Sequence, residues 1–180
     1  MVRCFIGFLI PEEIKKDVEA IKDELSKLPI KCKFVERENL HVCFSFLGEV
    51  EEKRIEHIIK TLDSICSNFK SFEVFIDGIK AIPSVNYIRV LALDVIEKNE
   101  NLKNLIEEIR NRIGGDTKPP HLTLCRVKGI NNKEVVAEKI EELKKRKIGI
   151  LKIMAVQLIK SELRRAGPLY SVIHESKFKE

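Results

Sequence analysis

The sequence predicts an α+β domain built from two similar halves. Helical and strand-like patterns follow one another along the chain, with several strands in adjacent pairs, and this order favours α+β over a doubly wound parallel sheet. Residues 39–44 (NLHVCF) are echoed by residues 119–124 (PPHLTL), about half the chain away. The chain has 180 residues, the length of one domain, and no Gly- or Ser-rich linker divides it. We therefore expect residues 1–180 to form a single domain with two lobes.

The composition is that of a globular protein with a mild positive charge. Hydrophobic residues make up 44% and charged residues 34% of the chain, which is enough to build a core. The net charge of +5 permits a polyanionic partner without demanding one. Five cysteines without a CxxC pair indicate neither a disulfide framework nor a zinc knuckle, and they favour a reducing cytoplasm. No stretch approaches the ~20 apolar residues of a membrane span, so we expect a cytoplasmic protein without membrane contact.

The first half is predicted to contain three strands and two helices. Its opening residues are apolar on both faces, as in a buried strand. Pro11 and the two glutamates after it are typical of a helix start, and the apolar stripe that follows ends before Pro29. The predicted strands lie at residues 4–10, 32–35 and 42–47, and the predicted helices at residues 11–28 and 55–66.

The second half repeats this mixture of strands and helices. Two strands flank a turn at residues 83–86, and Gly114 and Gly115 stop a helix. A further helix has a weaker apolar pattern. The predicted strands lie at residues 72–82, 87–95, 121–127, 148–159 and 169–173, and the predicted helices at residues 102–113 and 132–145.

The two echoed strands each place a histidine on a polar face. Side chains alternate across a strand, so residues two apart share one face. The apolar residues between them fit the core. Strict alternation gives polar faces that carry His41, Cys43 and Ser45 on the first strand, and His121, Thr123 and Cys125 on the second.

Two imidazoles, a thiol and a hydroxyl would converge if these strands lie side by side. Imidazole titrates near pH ~6.5, so one ring can accept a proton from water while the other donates one to a leaving oxygen. The Thr123 hydroxyl can donate a hydrogen bond to a phosphoryl oxygen. If the reaction is the opening of a phosphodiester, such a set needs no metal ion, and we expect no cofactor. A zinc site formed by His41, Cys43 and His121 is the chemical alternative.

Four blocks occur in order along the chain: RCFIG, ENLHVCFSFLGE, PHLTLCRV and the closing SEL…GPLY, at residues 3–7, 38–49, 120–127 and 161–170. Together they resemble the RNA 2′,3′-cyclic phosphodiesterases, historically called 2′–5′ RNA ligases, within the two-histidine phosphoesterase superfamily. Each His-x-Thr pattern alone is weak, but the ordered set covers nearly the whole chain.

This resemblance implies a bilobal α+β fold, with two antiparallel sheets facing a central cleft, helices packed outside, and halves related by a pseudo-two-fold axis. It implies hydrolysis of RNA 2′,3′-cyclic phosphate ends to 2′-phosphates, with His121 as the base that activates water and His41 as the acid. Thr123 and Cys43 would hold the phosphoryl oxygens. The expected partners are RNA ends or small cyclic nucleotides, including tRNA halves, and we expect a monomer.

Phe46 and Arg126 are two further substrate-binding candidates from the resemblance. Phe46 matches an aromatic residue that stacks on a base, which is worth ~1–3 kcal/mol, although alternation places it with the core. Arg126 matches an arginine near the substrate, although alternation places it opposite His121 unless a twist or bulge redirects it. Lys31, Lys33 and Lys118 precede or enter the motif strands and are candidates for RNA backbone contacts; they are weaker candidates than the preceding two residues.

Cys43 departs from the family pattern, which has Thr or Ser there. A neutral thiol donates a weaker hydrogen bond than a hydroxyl, and a thiolate would repel phosphate. We favour the neutral thiol. The substitution leaves open a non-catalytic RNA- or nucleotide-binding module, and the same site could instead run 2′–5′ ligation, although the chain has no P-loop to bind a nucleoside triphosphate.

Overall fold

A computed structural model describes residues 1–165 and 167–180 and has the predicted α+β architecture. In this part of the chain, strands β1 to β9 span Val2–Leu9, Ile30–Phe34, His41–Val50, Phe72–Ser84, Tyr87–Ile96, His121–Ile130, Gly149–Ile153, Ala155–Arg164 and Gly167–Lys177. Helices α1 to α4 span Glu12–Ser26, Glu52–Cys66, Asn101–Arg112 and Lys133–Leu143, and a short 3₁₀ turn spans Arg37–Asn39. Each helix buries one apolar stripe against the strands.

The strands form one antiparallel sheet in the order β7-β4-β5-β6-β3-β1-β8-β9, with β2 also paired to β6. Among the described residues, β3 and β6 are joined by one pair, Val42 with Leu122, and both side chains are fully buried. Further along β6, from Cys125 onward, the edge that faces β3 pairs with β2 instead, while β5 pairs with the other edge. The two strands therefore diverge, and the two predicted sheets are the halves of one sheet that separate around a cleft.

Each half has the same arrangement around its motif strand. β3 is followed outward by β1, β8 and β9, and β6 by β5, β4 and β7. Both motif strands begin with their histidine and lie at the inner edge of their half. The predicted bilobal fold with similar halves is confirmed.

The prediction of one strand over residues 148–159 is wrong. The segment is divided at Met154 into β7, which pairs with β4, and β8, which pairs with β1. The chain crosses here from one half of the sheet to the other, and Met154 is 59% exposed. An uninterrupted apolar pattern does not indicate which neighbour a strand pairs with, so the crossing leaves no sequence signal. The other predicted elements have the correct type, with ends that differ by a few residues.

A β-bulge interrupts β3 three residues after its histidine. Gly7 of β1 lies opposite Cys43, and Ile6 lies opposite Ser45. A step of one residue along β1 therefore corresponds to a step of two residues along β3. Phe44 is the extra residue in β3. Its side chain is fully buried.

β6 has the same bulge at the equivalent position. Ala92 of β5 lies opposite Thr123, and Leu91 lies opposite Cys125. Leu124 is the extra residue, and it is also fully buried. The two halves therefore repeat this irregularity as well as the motif.

These bulges overturn the faces that strict alternation predicts. Ser45 and Cys125 were expected beside the histidines, but both are fully buried. Phe46 and Arg126, which alternation assigns to the opposite face, lie on the cleft side instead. Side chains alternate between the two faces of a strand, and one extra residue offsets this alternation by one position. Every side chain after the bulge therefore lies on the face opposite to the predicted one.

In the described part of the chain, no helix is both long and apolar enough to cross a membrane.

Gly7→Ala is expected to destabilise the protein by about 1–3 kcal/mol, the usual cost of forcing atoms into a packed site. A Cβ at Gly7 would overlap the Val42 carbonyl oxygen, so the backbone of β1 or β3 must move. Urea unfolding measures the change. Gly129→Ala in β6 is the matched control, because its Cβ would meet nothing within 4 Å, and it should stay within about 0.5 kcal/mol. Equal losses in the two variants would contradict the tight approach of β1 to β3.

Candidate active site

The six side chains predicted to act in catalysis or substrate binding line one cavity between the two halves of the sheet. Its volume is about 540 Å³. The predicted residues that line it are His41, Cys43, Phe46, His121, Thr123 and Arg126.

The pair between β3 and β6 brings four of these side chains together. The antiparallel register at Val42 and Leu122 sets His41 beside Thr123 on one side of the pair and Cys43 beside His121 on the other. Val42 and Leu122 point into the core, so their sequence neighbours point to the opposite face. Both histidines therefore reach the same cavity from different strands.

Each imidazole is oriented by a contact with the backbone carbonyl group two residues before it. Nδ1 of His41 lies 2.7 Å from the Asn39 carbonyl oxygen, and Nδ1 of His121 lies 2.8 Å from the Pro119 carbonyl oxygen. A carbonyl oxygen only accepts hydrogen bonds, so Nδ1 donates in each case. Nε2 is thus the nitrogen of each ring that is left for proton exchange with a ligand.

Two aromatic rings enclose the His41 imidazole. The ring centroids of Phe5 and Tyr170 lie 4.8 and 4.9 Å from that of His41, and Tyr170 meets it edge-on. Burial lowers the pKa of His41, the hydrogen bond to Asn39 opposes this shift, and the electrostatic influence of the neighbouring His121 and Arg126 lowers the pKa further. The neutral imidazole is therefore favoured when the cavity holds no anion.

Asn39, whose carbonyl oxygen contacts His41, is itself hydrogen-bonded to β9 through its side chain. Its side-chain amide donates to the Pro168 carbonyl oxygen at 2.8 Å and to a Glu36 carboxylate oxygen at 3.3 Å. Asn39 itself is buried. The carbonyl group that orients His41 is thus held by β9 as well as by the 3₁₀ turn.

The segment before His121 is attached to the other motif strand. Asp116 and Phe46 exchange two backbone hydrogen bonds of 2.9 Å each, and the Ser45 hydroxyl donates to the Gly114 carbonyl oxygen at 2.6 Å. Ser45 therefore anchors the α3–β6 loop, residues 113–120, rather than facing a ligand. This is the structural consequence of the bulge in β3.

Cys43 lies in the cavity as a protonated thiol. Burial raises its pKa to about 12, and the negative charge of Asp116 adds to the shift, while Lys118 opposes it. The sulfur carries its proton at neutral pH, as predicted, and brings no negative charge to the site.

The cavity has an aromatic platform and several cations. The Arg3 guanidinium lies 4.7 Å above the centre of the Phe46 ring, a cation–π contact. Arg126 faces Lys33 across the β2–β6 ladder. Positive side chains on the wall outnumber the negative ones: Arg3, Lys33, Lys118 and Arg126 against Glu36 and Asp116.

Sequence reasoning did not assign a role to Arg3, Phe5, Asn39 or Tyr170. All four line the cavity, and all lie inside the blocks that carried the family resemblance. Their location inside these blocks was the sequence signal that could have identified them as site residues. A block of sequence does not, however, indicate which of its side chains face the cleft. Of the three lysines predicted near RNA, Lys33 and Lys118 line the cavity, and Lys31 is not among its lining residues.

Across residues 1–165 and 167–180, no three His, Cys, Asp or Glu side chains are placed to hold a metal ion. The proposed zinc ligands His41, Cys43 and His121 therefore do not form a metal-binding cluster in this arrangement.

Comparison with known proteins identifies relatives over nearly the whole chain. The model of the LigT-like phosphoesterase family matches residues 8–92 and 94–170. The RNA 2′,3′-cyclic phosphodiesterase of Methanothermobacter thermautotrophicus is 34% identical over 176 residues, covering 94% of this chain and 95% of the relative. The enzyme of the same name from Methanocaldococcus jannaschii is 34% identical over 180 residues, covering 97% and 99%.

Solved structures share the fold. TT0787 of Thermus thermophilus superposes with a TM-score of 0.82 at 20% identity, covering 98% of each chain. E. coli LigT complexed with 3′-AMP superposes with a TM-score of 0.75 at 18% identity, covering 99% of each chain.

The lowered pKa of His41 predicts how stability depends on pH. Unfolded His41 regains its ordinary pKa near 6.5, so below about pH 6.5 the unfolded chain binds a proton that the folded site does not bind. The free energy of unfolding should therefore fall as the pH is lowered from 7.5 to 5, and His41→Gln should make this fall smaller. Urea unfolding at several pH values measures it.

His57→Gln is the control, because His57 is exposed on α2, and it should preserve the fall seen in the unaltered protein. An unchanged fall in His41→Gln would contradict the burial argument.

Proposed function

The chain belongs to the LigT-like phosphoesterase family, and from this premise we propose that it hydrolyses 2′,3′-cyclic phosphate ends of RNA to 2′-phosphates. The observation that carries the proposal is the matched pair of imidazoles, each anchored through Nδ1 and each lining the same cavity. Two such rings can supply a base and an acid in one step. The relatives named RNA 2′,3′-cyclic phosphodiesterase supply the substrate class.

In the proposed reaction, His121 is the base and His41 is the acid. Nε2 of His121 accepts a proton from a water molecule as the water oxygen attacks phosphorus. The bond from phosphorus to the 3′ oxygen breaks, and Nε2 of His41 gives its proton to that oxygen. The products are a 2′-phosphate and a free 3′-hydroxyl, and solvent resets both rings.

The charge of the substrate is what prepares His41 for this role. Its lowered pKa keeps the ring neutral in the empty cavity. An anionic phosphodiester beside the ring favours the protonated form, because an opposite charge stabilises it. Bound substrate therefore raises the charged fraction of His41, and this fraction falls again when the cavity is empty.

Thr123, Cys43 and Arg126 are proposed to hold the phosphoryl oxygens. The Thr123 hydroxyl and the Cys43 thiol are equivalent in the two motif strands, and each donates one hydrogen bond. Arg126 adds a charge-assisted contact, which is stronger than a neutral one. Phe46, with Arg3 above it, offers a flat surface on which the terminal base stacks.

One chain carries every residue of this proposed site, so we propose a monomer as the active unit. We further propose a cytoplasmic enzyme that acts on RNA ends such as those of tRNA halves. No cofactor enters the proposed reaction, because both proton transfers are made by side chains.

Purified protein should convert a 2′,3′-cyclic mononucleotide to the 2′-phosphate in the presence of EDTA. His41→Ala and His121→Ala should each lower kcat by about 10²–10⁴-fold, the usual contribution of a general acid or base. Product analysis by chromatography separates the 2′- from the 3′-phosphate. His57→Ala is the control and should retain full activity.

Near-normal rates in both active-site variants would contradict the proposed acid–base pair. Binding without any turnover in the unaltered protein would favour the non-catalytic module.

Cys43→Thr should lower KM for the cyclic phosphate or raise kcat, because a hydroxyl is the stronger hydrogen-bond donor to a phosphoryl oxygen. Steady-state kinetics measure both constants. Cys43→Ala removes the donor and should change them in the opposite direction. Identical constants in all three proteins would show that residue 43 makes no contact with the phosphate.

A further inference from the structure

A second cavity, of about 350 Å³, is lined by α3 and by the α3–β6 loop, which also borders the active site. Lys118 lines both cavities. Pro119 and Pro120 line the second one, and His121, the next residue, lines the first. The two cavities are therefore neighbours that share one short loop.

The walls of the second cavity suit a nucleobase. Pro119 and Pro120 present apolar rings from the loop, and Leu102 and Ile106 present apolar side chains from α3. A base has two flat apolar faces, and it stacks without regard to its hydrogen-bonding edge. Apolar groups contributed by two elements therefore suit one face or edge of a base.

The rim of the second cavity suits a phosphate backbone. Lys103, Arg110 and Lys118 line it, together with two carboxylates, Glu97 and Glu107. Glu97 accepts hydrogen bonds from the Asn101 side chain at 2.9 Å and the Leu102 amide at 3.4 Å, so its oxygens are engaged by the start of α3. Both lysines are ion-paired at the surface, Lys103 with Glu100 at 3.2 Å and Lys118 with Asp116 at 3.3 Å. Exposed ion pairs are weak, so a phosphate can compete for these lysines and for Arg110.

We propose that this cavity binds the nucleotide immediately 5′ of the one that carries the cyclic phosphate. The inference rests on the proposed function. A 2′,3′-cyclic phosphate ends its strand, so the RNA continues from the active site on the 5′ side alone. The penultimate base occupies the apolar slot beside Ile106, and the phosphates pass between Lys118 and Arg110.

Occupancy of this cavity also acts on the active site. The Pro119 carbonyl oxygen orients His121 through the 2.8 Å contact with Nδ1. A base packed on Pro119 and Pro120 holds that carbonyl group in place. A longer substrate thus gains in kcat as well as in KM.

The test compares adenosine 2′,3′-cyclic phosphate with two dinucleotides that end in the same group. One dinucleotide carries a normal penultimate base, and the other is abasic at that position. The unaltered protein should show a kcat/KM for the normal dinucleotide that is about tenfold or more above that for the mononucleotide, the effect of one stacked base. The abasic dinucleotide should lose most of this gain.

Two variants test the cavity itself. Ile106→Trp fills the slot and should make kcat/KM for the normal dinucleotide equal to that for the abasic dinucleotide. Arg110→Glu places a negative charge at the exposed rim and should weaken dinucleotide binding without affecting the fold. Arg112→Glu is the matched control: it makes the same charge change on α3, but Arg112 lies outside the cavity and donates to Ser64.

Equal kcat/KM for the mononucleotide and the normal dinucleotide would overturn the inference and leave the proposed function standing. Equal effects of the Arg110 and Arg112 variants would also overturn it. Failure to hydrolyse any of the three probes would overturn the proposed function, and this inference with it.

Discussion

The contact between Val42 and Leu122 is the constraint on which the proposed site depends. Two strands from distant parts of the chain meet there and then separate, because β2 takes the rest of the shared edge of β6. One contact thus joins the halves, sets the two histidines on one face and leaves room for a ligand between the strands. Burial of both side chains makes any slip in register costly, since it would move the histidines into the core.

The site combines rigid orientation with a changeable charge. Backbone carbonyl groups fix both imidazoles, and the Asn39 and Ser45 side chains attach those carbonyl-bearing segments to other strands. The Phe5 and Tyr170 rings remove water from around His41 and so lower its pKa. A neutral imidazole and a protonated Cys43 leave the empty cavity positive through its Arg and Lys side chains, which suits an anionic substrate.

The pseudo-symmetry extends from the motif to its irregularities. Each motif strand carries a bulge at the same offset from its histidine, so Phe46 and Arg126 occupy equivalent places in the cleft. The two halves carry different side chains at these places: one has an aromatic ring and the other a guanidinium group. Similar backbones with different side chains suit a substrate whose two ends differ in chemistry.

The sequence by itself determined the element types, the two-half organisation, the pair of histidine motifs and, through the ordered blocks, the family. Local periodicity and the spacing of the motifs carry that information. Tertiary structure alone decided the side-chain faces after the bulges, the break at Met154 and the aromatic enclosure of His41. A bulge depends on how the partner strand is paired, and a cavity wall depends on elements far apart in the chain, so neither leaves a local pattern. Alternation therefore failed at Ser45 and Cys125, where the register of β1 and β5 decides which face each side chain takes.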